Sequence, residues 1–186
     1  MSSAPSGPPD GGPDYRQLGR RDIWLLTLAS AVVTANAYYI HPIIALVAED
    51  FGVSPSEIGL VPALNQIALA LGIFLLLPLG DRFSNRRLAT VFAAGQFLGL
   101  VAMALATDFR LFVAGSTFLG FSTITPYLLP AYASKRVSVR RLGQTTAMLT
   151  TGVIAGILVA RVGGGWLGEH YGWRTVYYVA AALMGG

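Results

Sequence analysis

The chain contains five long stretches without any charged residue, each close to or above the roughly 20 residues that cross a bilayer as a helix. They are residues 23–48, 58–80, 88–107, 111–134 and 142–160. Charged residues make up only 12% of the chain, about half the usual share in a soluble domain. Helices that form the core of a soluble protein would be shorter, and most would be amphipathic. The sequence therefore predicts an all-α membrane protein.

A sixth uncharged run, residues 175–186, is shorter than the others. At about 1.5 Å per residue it reaches about 18 Å, whereas the hydrocarbon core is about 30 Å thick. We therefore expect a bundle of six transmembrane helices whose last member is truncated. The final letters, AALMGG, indicate a fragment or a truncated reading frame.

The positive charges between the spans predict the orientation of the chain. Most fall before the first span, after the second and after the fourth: Arg16, Arg20, Arg21, Arg82, Arg86, Arg87, Lys135, Arg136, Arg140 and Arg141. The opposite loops carry Glu49, Asp50, Glu57, Asp108 and Glu169, with Arg110 and Arg174. Because positive loops stay in the cytoplasm, we expect a multi-pass bacterial inner-membrane protein with a cytoplasmic N-terminus. Residues 1–21, rich in Pro, Gly and Ser, are expected to form a disordered cytoplasmic tail.

The loop after the second span, PLGDRFSNRRLA, is unusually rich in charge. Its Leu79, Gly80, Asp81, Arg82 and Arg86 resemble the loop Gly-x-Leu-(Ala/Ser)-Asp-Arg-x-Gly-Arg-(Arg/Lys) of the major facilitator superfamily (MFS) of transporters. The chain departs from this pattern at Leu77, Ser84 and Asn85. The sequence Gly172-Trp173-Arg174 resembles a second family motif, at the start of the sixth span. The resemblance covers everything past the tail and is greatest to bacterial drug or sugar exporters.

The resemblance implies the N-terminal six-helix half of an MFS-type helical bundle, and a comparison of the sequence with itself agrees. An offset of 84 residues pairs several identical residues, among them Ile40 with Ile124 and Pro42 with Pro126. We expect a first three-helix repeat at residues 22–107 and a second, incomplete one at 108–186. The two repeats are inverted, because each contains an odd number of spans.

The resemblance also assigns a gate to the charged loop. In the family, its Asp lies against the N-terminal end of a helix in the other half, where the helix dipole favours a carboxylate. Asp81, Arg82 and Arg86 are therefore the gating candidates. The alternative for the arginines is that they only hold the loop in the cytoplasm.

Pairs of glycines four residues apart predict close helix packing, because small residues let backbones approach in a membrane. Gly95 and Gly99 share a face of the third span, and Gly152 and Gly156 share a face of the fifth. The exporters' fifth-span motif ends Gly-Pro-x-x-Gly-Gly, and Arg161 replaces its Pro. This arginine either extends to the outer headgroups or contacts an anionic substrate or a partner carboxylate.

By resemblance, the first and fourth spans line the substrate cavity. The substrate-pathway candidates are Asn36, Tyr39, His41, Asn65, Thr123, Tyr127 and Arg161. For His41, the alternatives are interfacial packing and proton coupling. Asp and Glu are absent from the complete spans, so an ion gradient would have to act through Asp81, His41 or a group outside this chain.

These patterns predict the N-terminal half of a secondary active transporter that moves a small solute by alternating access, as an exporter coupled to an ion gradient. The alternative is a non-transporting six-helix membrane subunit with an assembly or regulatory role. The expected partners are the lipid bilayer, a small-molecule substrate, and the missing C-terminal half or a second copy, but not nucleic acid. We find no catalytic or phosphate-binding motif and no metal-ligand pair, and there is no cysteine, so neither an enzyme nor a cofactor is expected.

Overall fold

The computed structural model describes residues 18–185, apart from the side chains of Asp81, Asn85 and Arg86. This part of the chain is helical and contains no strand. Its helices are α1 (Arg20–Asn36), α2 (Ile40–Phe51), α3 (Pro55–Ile58), α4 (Leu60–Leu76), α5 (Leu79–Arg82), α6 (Asn85–Ala104), α7 (Phe109–Ser122), α8 (Thr125–Ser134), α9 (Val139–Tyr171) and α10 (Trp173–Gly185).

Five helical segments in these residues are long and apolar enough to cross a membrane. They are Arg20–Phe51, Pro55–Leu76, Arg87–Ala104, Phe109–Ser134 and Val139–Tyr171. Each contains most of one charge-free stretch, and the boundaries differ mainly by a few residues. The prediction of an all-α multi-pass membrane bundle is confirmed.

The first and fourth segments are each broken into two helices, which the charge-free runs did not predict. The breaks lie at 37–39, between α1 and α2, and at 123–124, between α7 and α8. Pro42 and Pro126 follow them closely and have no amide to donate to the carbonyl four residues earlier. At the first break the Tyr38 carbonyl instead accepts from the His41 amide (3.3 Å), and at the second the Ser122 carbonyl accepts from the Ile124 amide (3.0 Å).

The fifth segment is longer than predicted. Helix α9 continues past Ala160 and Arg161 to Tyr171, because one arginine near the end of an apolar run does not stop a helix. Gly172 ends it with φ 84°, a conformation that glycine adopts without the penalty of a Cβ. With 33 residues, α9 is about 50 Å long, well beyond the hydrocarbon core.

Helix α9 packs along α1 through its two predicted glycines. A Cβ added to Gly152 would collide with the Thr27 carbonyl, and one added to Gly156 would collide with the Ala31 backbone. Because both glycines lie against the α1 backbone, they set the distance between the first and fifth segments. The predicted packing face of the fifth span is confirmed.

Helix α7 packs between α4 and α6, again through glycines. A Cβ on Gly99 of α6 would lie 2.9 Å from the Leu119 Cβ, and one on Gly95 would lie 2.6 Å from the Ser122 hydroxyl oxygen. On the other side, Gly120 of α7 has no room for a Cβ beside the Asn65 backbone of α4. The predicted packing face of the third span is thus confirmed, with α7 as its partner.

One end of the bundle is closed by Arg174 and aromatic rings. Arg174 donates from Nη1 to Asp50 Oδ2 (2.6 Å) and from Nη2 to the Ala106 carbonyl (3.1 Å). Its guanidinium carbon lies 4.1 Å from the centre of the Trp173 ring. The rings of Phe51, Phe109, Phe112, Trp173 and Tyr177 pack beside it. These contacts join the end of the first segment, the end of the third, the start of the fourth and the start of α10.

At the opposite end of the bundle, the chain before α1 is hydrogen-bonded to the loop after α8. The Leu18 amide donates to the Arg136 carbonyl at 3.0 Å. The loops joined by Arg174 are at the other end, so successive loops alternate between the two ends of the bundle. The most basic loops therefore share one end.

Candidate functional site

The loop predicted to form the gate contains the short helix α5. The single turn of α5 ends with the Phe83 amide, which donates to the Leu79 carbonyl at 2.8 Å. Arg82 and Phe83 are exposed. They lie at the end of the bundle that also contains the loop after α8. The gating assignments of Asp81 and Arg86 concern side chains outside the described residues, so they stay predictions.

An apolar cluster connects this loop to the second helix break. Leu88 and Phe92 of α6 pack with Ile124 and Leu128 of the fourth segment. Leu76 at the end of α4 and Leu79 of the loop pack against the same cluster. Because Ile124 lies in the break itself, this cluster brings the loop into contact with the point where α8 begins.

Four of the predicted pathway residues lie in the interior of the bundle, where they contact other helices. Asn65 Nδ2 donates to the Ser116 carbonyl at 2.7 Å and so joins α4 to α7. Tyr39 packs on the glycine face of α9, where its ring lies beside Gly164. Asn36 and Thr123 are buried at the two helix breaks.

The other three pathway candidates are more open. Tyr127 of α8 is 46% exposed. His41 is half-buried and stacks on Tyr38, with ring centres 5.5 Å apart. Arg161 lies on the exposed side of α9, and no carboxylate among the described side chains pairs with it. The structure therefore does not bring all seven candidates into one site.

A cavity of about 290 Å³ lies between the first, fourth and fifth segments. Its lining residues are Thr34, Pro126, Tyr127, Pro130, Leu149, Thr150 and Val153. The Thr34 hydroxyl is buried and has no hydrogen-bond partner among the described residues. An apolar wall with a few hydroxyl groups is typical of small-molecule sites. Of the predicted pathway residues only Tyr127 lines it; Thr34, two positions before Asn36, was missed.

A buried amide connects the two helix breaks. Gln96 of α6 is wholly buried, and its Nε2 donates to Thr123 Oγ1 at 2.6 Å and to the Val33 carbonyl at 3.3 Å. Its Oε1 accepts from Asn36 Nδ2 at 3.3 Å. The sequence did hold a signal, because Gln96 is the only amide side chain in the charge-free run 88–107.

Neither a charged group nor a metal site occurs in the wall of this cavity. Its lining residues are apolar apart from two threonines and one tyrosine. Within residues 18–185, no group of three or more His, Asp or Glu side chains could hold a metal ion. The arrangement can bind a solute by apolar contact and hydroxyl hydrogen bonds.

Comparisons with known proteins agree on one family. The family model described as "Major Facilitator Superfamily" matches residues 26–186. The chain is 32% identical over 165 residues to the uncharacterized transporter YgaY of Escherichia coli O157:H7, which covers 87% of this chain and 41% of the relative. It is 30% identical over 159 residues to a probable transporter of Streptomyces coelicolor, covering 86% of this chain and 37% of the relative.

A further relative carries a name that refers to drugs. The chain is 25% identical over 170 residues to the multidrug resistance protein MdtG of Yersinia enterocolitica, covering 89% of this chain and 41% of the relative. The chain thus spans about two fifths of the length of the curated relatives it matches.

Proposed function

Because the chain belongs to the Major Facilitator Superfamily of transporters, we propose that it is the N-terminal half of a secondary active carrier that exports a small solute by alternating access. The observation that carries this proposal is the cavity beside both helix breaks, lined by Thr34 and Tyr127. Transporters commonly bind substrate where membrane helices are discontinuous. The remaining helices of the carrier come from a C-terminal half or from a second copy of this chain.

Two inverted three-helix repeats, residues 22–107 and 108–186, form this half. The helix pairings support this division. The first segment packs along the fifth, and the fourth packs along the second; exchanging the repeats turns one pairing into the other. The breaks at 37–39 and 123–124 also lie close to equivalent positions under the 84-residue offset. Alternating access then consists of a rocking motion of the bundles around the cavity.

The N-terminus is cytoplasmic and the protein lies in the inner membrane. The most basic loops share one end of the bundle, which is the arrangement that the positive-inside rule requires. The loop with Asp81, Arg82 and Arg86 is then a cytoplasmic latch. Leu79 of this loop packs against the cluster that contains Ile124, so the latch contacts the broken fourth segment.

An uncharged or amphipathic compound fits the cavity best. The wall has hydroxyl, aromatic and proline groups, and an unpaired ionic group would be costly there. The drug-related name of one relative supports an exporter of such compounds. We propose that an ion gradient drives export.

Efflux of the uncharged dye Nile red from bacteria that lack their main drug exporters tests this function. Cells that produce the full-length protein should lose preloaded dye several-fold faster after re-energising than cells with an empty vector. The Asp81→Asn variant should reach the membrane in equal amount but should not accelerate dye efflux, because it removes the charge from the latch. Efflux no faster than in the empty-vector cells would contradict the proposed substrate class, and full efflux by the variant would remove Asp81 from the latch.

A further inference from the structure

The first helix break leaves a backbone carbonyl without its normal donor. In a continuous α-helix the Val33 carbonyl would accept from the Ala37 amide. Here the Ala37 amide donates to Thr34 instead, at 3.1 Å. Gln96 Nε2 donates to the Val33 carbonyl at 3.3 Å, so a side chain from α6 replaces the missing backbone donor.

The second break has the same defect, and there the missing donor is replaced by the Thr123 hydroxyl, which is itself bonded to Gln96. The Thr123 amide donates to the Gly120 carbonyl at 3.0 Å, so Leu119 loses the donor that a continuous helix would provide. The Thr123 hydroxyl donates to the Leu119 carbonyl at 2.8 Å. The same hydroxyl accepts from Gln96 Nε2 at 2.6 Å.

Gln96 can serve both breaks because its amide is fully engaged and its helix lies close to α7. Both Nε2 hydrogens are used, and Oε1 accepts from Asn36 at the end of α1. Gly95 and Gly99 flank it and let the backbone of α6 approach α7. A wholly buried amide that lost these partners would be left unpaired at a substantial cost.

We propose that Gln96 is a positioning residue that couples the two helix breaks, so that the first and fourth segments bend together. This inference rests on the proposed transport function but concerns a residue that does not touch the solute. Thr34 lies between Val33 and Asn36, the two contacts of Gln96 on α1, and it lines the cavity. Gln96 therefore fixes the cavity wall through the Val33 carbonyl and the Asn36 side chain, on either side of Thr34.

Amide hydrogen exchange of the full-length protein in lipid nanodiscs, read by mass spectrometry, tests this coupling without any transport substrate. The informative variant is Thr123→Val, which removes a hydroxyl at the second break only. If Gln96 couples the breaks, exchange should rise about three- to tenfold at both 34–41 and 120–127, as the loss of one net hydrogen bond implies.

The matched control is Thr117→Val on the same helix. The Thr117 hydroxyl donates to the Val113 carbonyl at 2.8 Å, the same kind of bond, with no contact to Gln96. This variant should leave exchange at both breaks unchanged. Gln96→Met, which keeps the length of the side chain, should raise exchange at both breaks.

A rise confined to 120–127 in Thr123→Val would overturn the coupling, because the breaks would then behave independently. An equal rise at the first break in Thr117→Val would also overturn it, since the effect would be a general loosening. If Gln96→Met does not fold, Thr123→Val and Thr117→Val still decide the question. Absence of dye efflux would bear on the transport function alone, because the exchange measurement does not require transport.

Discussion

The distance between α1 and α9 is set by single glycines that face a neighbouring backbone. Gly156 lies against Ala31, so no side-chain movement can make room for a Cβ there. Gly163, on the same helix, has open space around it. The two positions therefore separate the effect of a packing contact from the effect of helix propensity.

We expect Gly156→Ala to lower the thermal stability of the purified protein, because overpacking a close contact costs about 1–3 kcal/mol. Gly163→Ala is the control and should leave the melting temperature unchanged or slightly higher, since alanine favours helix by about 1 kcal/mol over glycine. Thermal melting in detergent measures both. Equal melting temperatures for the two variants would contradict the glycine contact between α1 and α9.

Arg174 shows how a motif residue can be mainly structural. It bonds Asp50 and the Ala106 carbonyl and lies over the Trp173 ring. Because the side chains of Arg174 and Asp50 are 38% and 43% exposed, their ion pair contributes no more than about 1 kcal/mol. Its structural role is to connect three parts of the chain: the end of α2, the loop after α6 and the start of α10.

At the level of helices, the two breaks are the feature that the sequence did not predict. A charge-free run indicates that a segment can lie in the bilayer, but it does not indicate whether the helix is continuous. Pro42 and Pro126 were visible in the sequence, yet proline is also tolerated inside membrane helices. Pro130 lies inside α8 without ending it. Only the backbone hydrogen bonds around each proline distinguish the two cases.

Replacing Pro126 with alanine should lengthen α7 into α8, because it restores an amide that can bond the Ser122 carbonyl. We expect exchange of the amides at 123–125 to slow by about fivefold or more, as one net hydrogen bond of about 1 kcal/mol implies. Dye efflux should fall, because a straight fourth segment changes the cavity wall. The control is Pro130→Ala, in which exchange at 123–125 should not change. Unaltered exchange in Pro126→Ala would show that proline does not cause the break.

Across the whole molecule, the sequence predicted most of what depends on the bilayer and little of what depends on contacts. Spans, packing glycines and family follow from charge-free runs, small residues at four-residue spacing and the Asp81 loop. The interior position of Asn36, Asn65 and Thr123 did not follow, because a polar side chain in a span satisfies a neighbouring helix as readily as a solute. Gln96 was missed for the same reason.

We propose that the cavity beside the helix breaks opens alternately to the two sides of the membrane. Because this chain contains no cysteine, single cysteines can be placed in the full-length protein after any cysteine elsewhere in it is replaced. Tyr127→Cys reports on the cavity. Leu98→Cys, at a position 59% exposed on the apolar surface of α6, is the lipid-facing control, and Ser84→Cys lies in the loop that we propose to be cytoplasmic.

The decisive measurement is labelling by a membrane-impermeant maleimide, applied to cells with a permeabilised outer membrane and to inverted inner-membrane vesicles. Tyr127→Cys should react from both sides, Leu98→Cys from neither, and Ser84→Cys only in inverted vesicles. Reaction of Tyr127→Cys from a single side under all conditions would contradict alternating access and favour a non-transporting subunit. Reaction of Ser84→Cys from the periplasm would contradict the orientation.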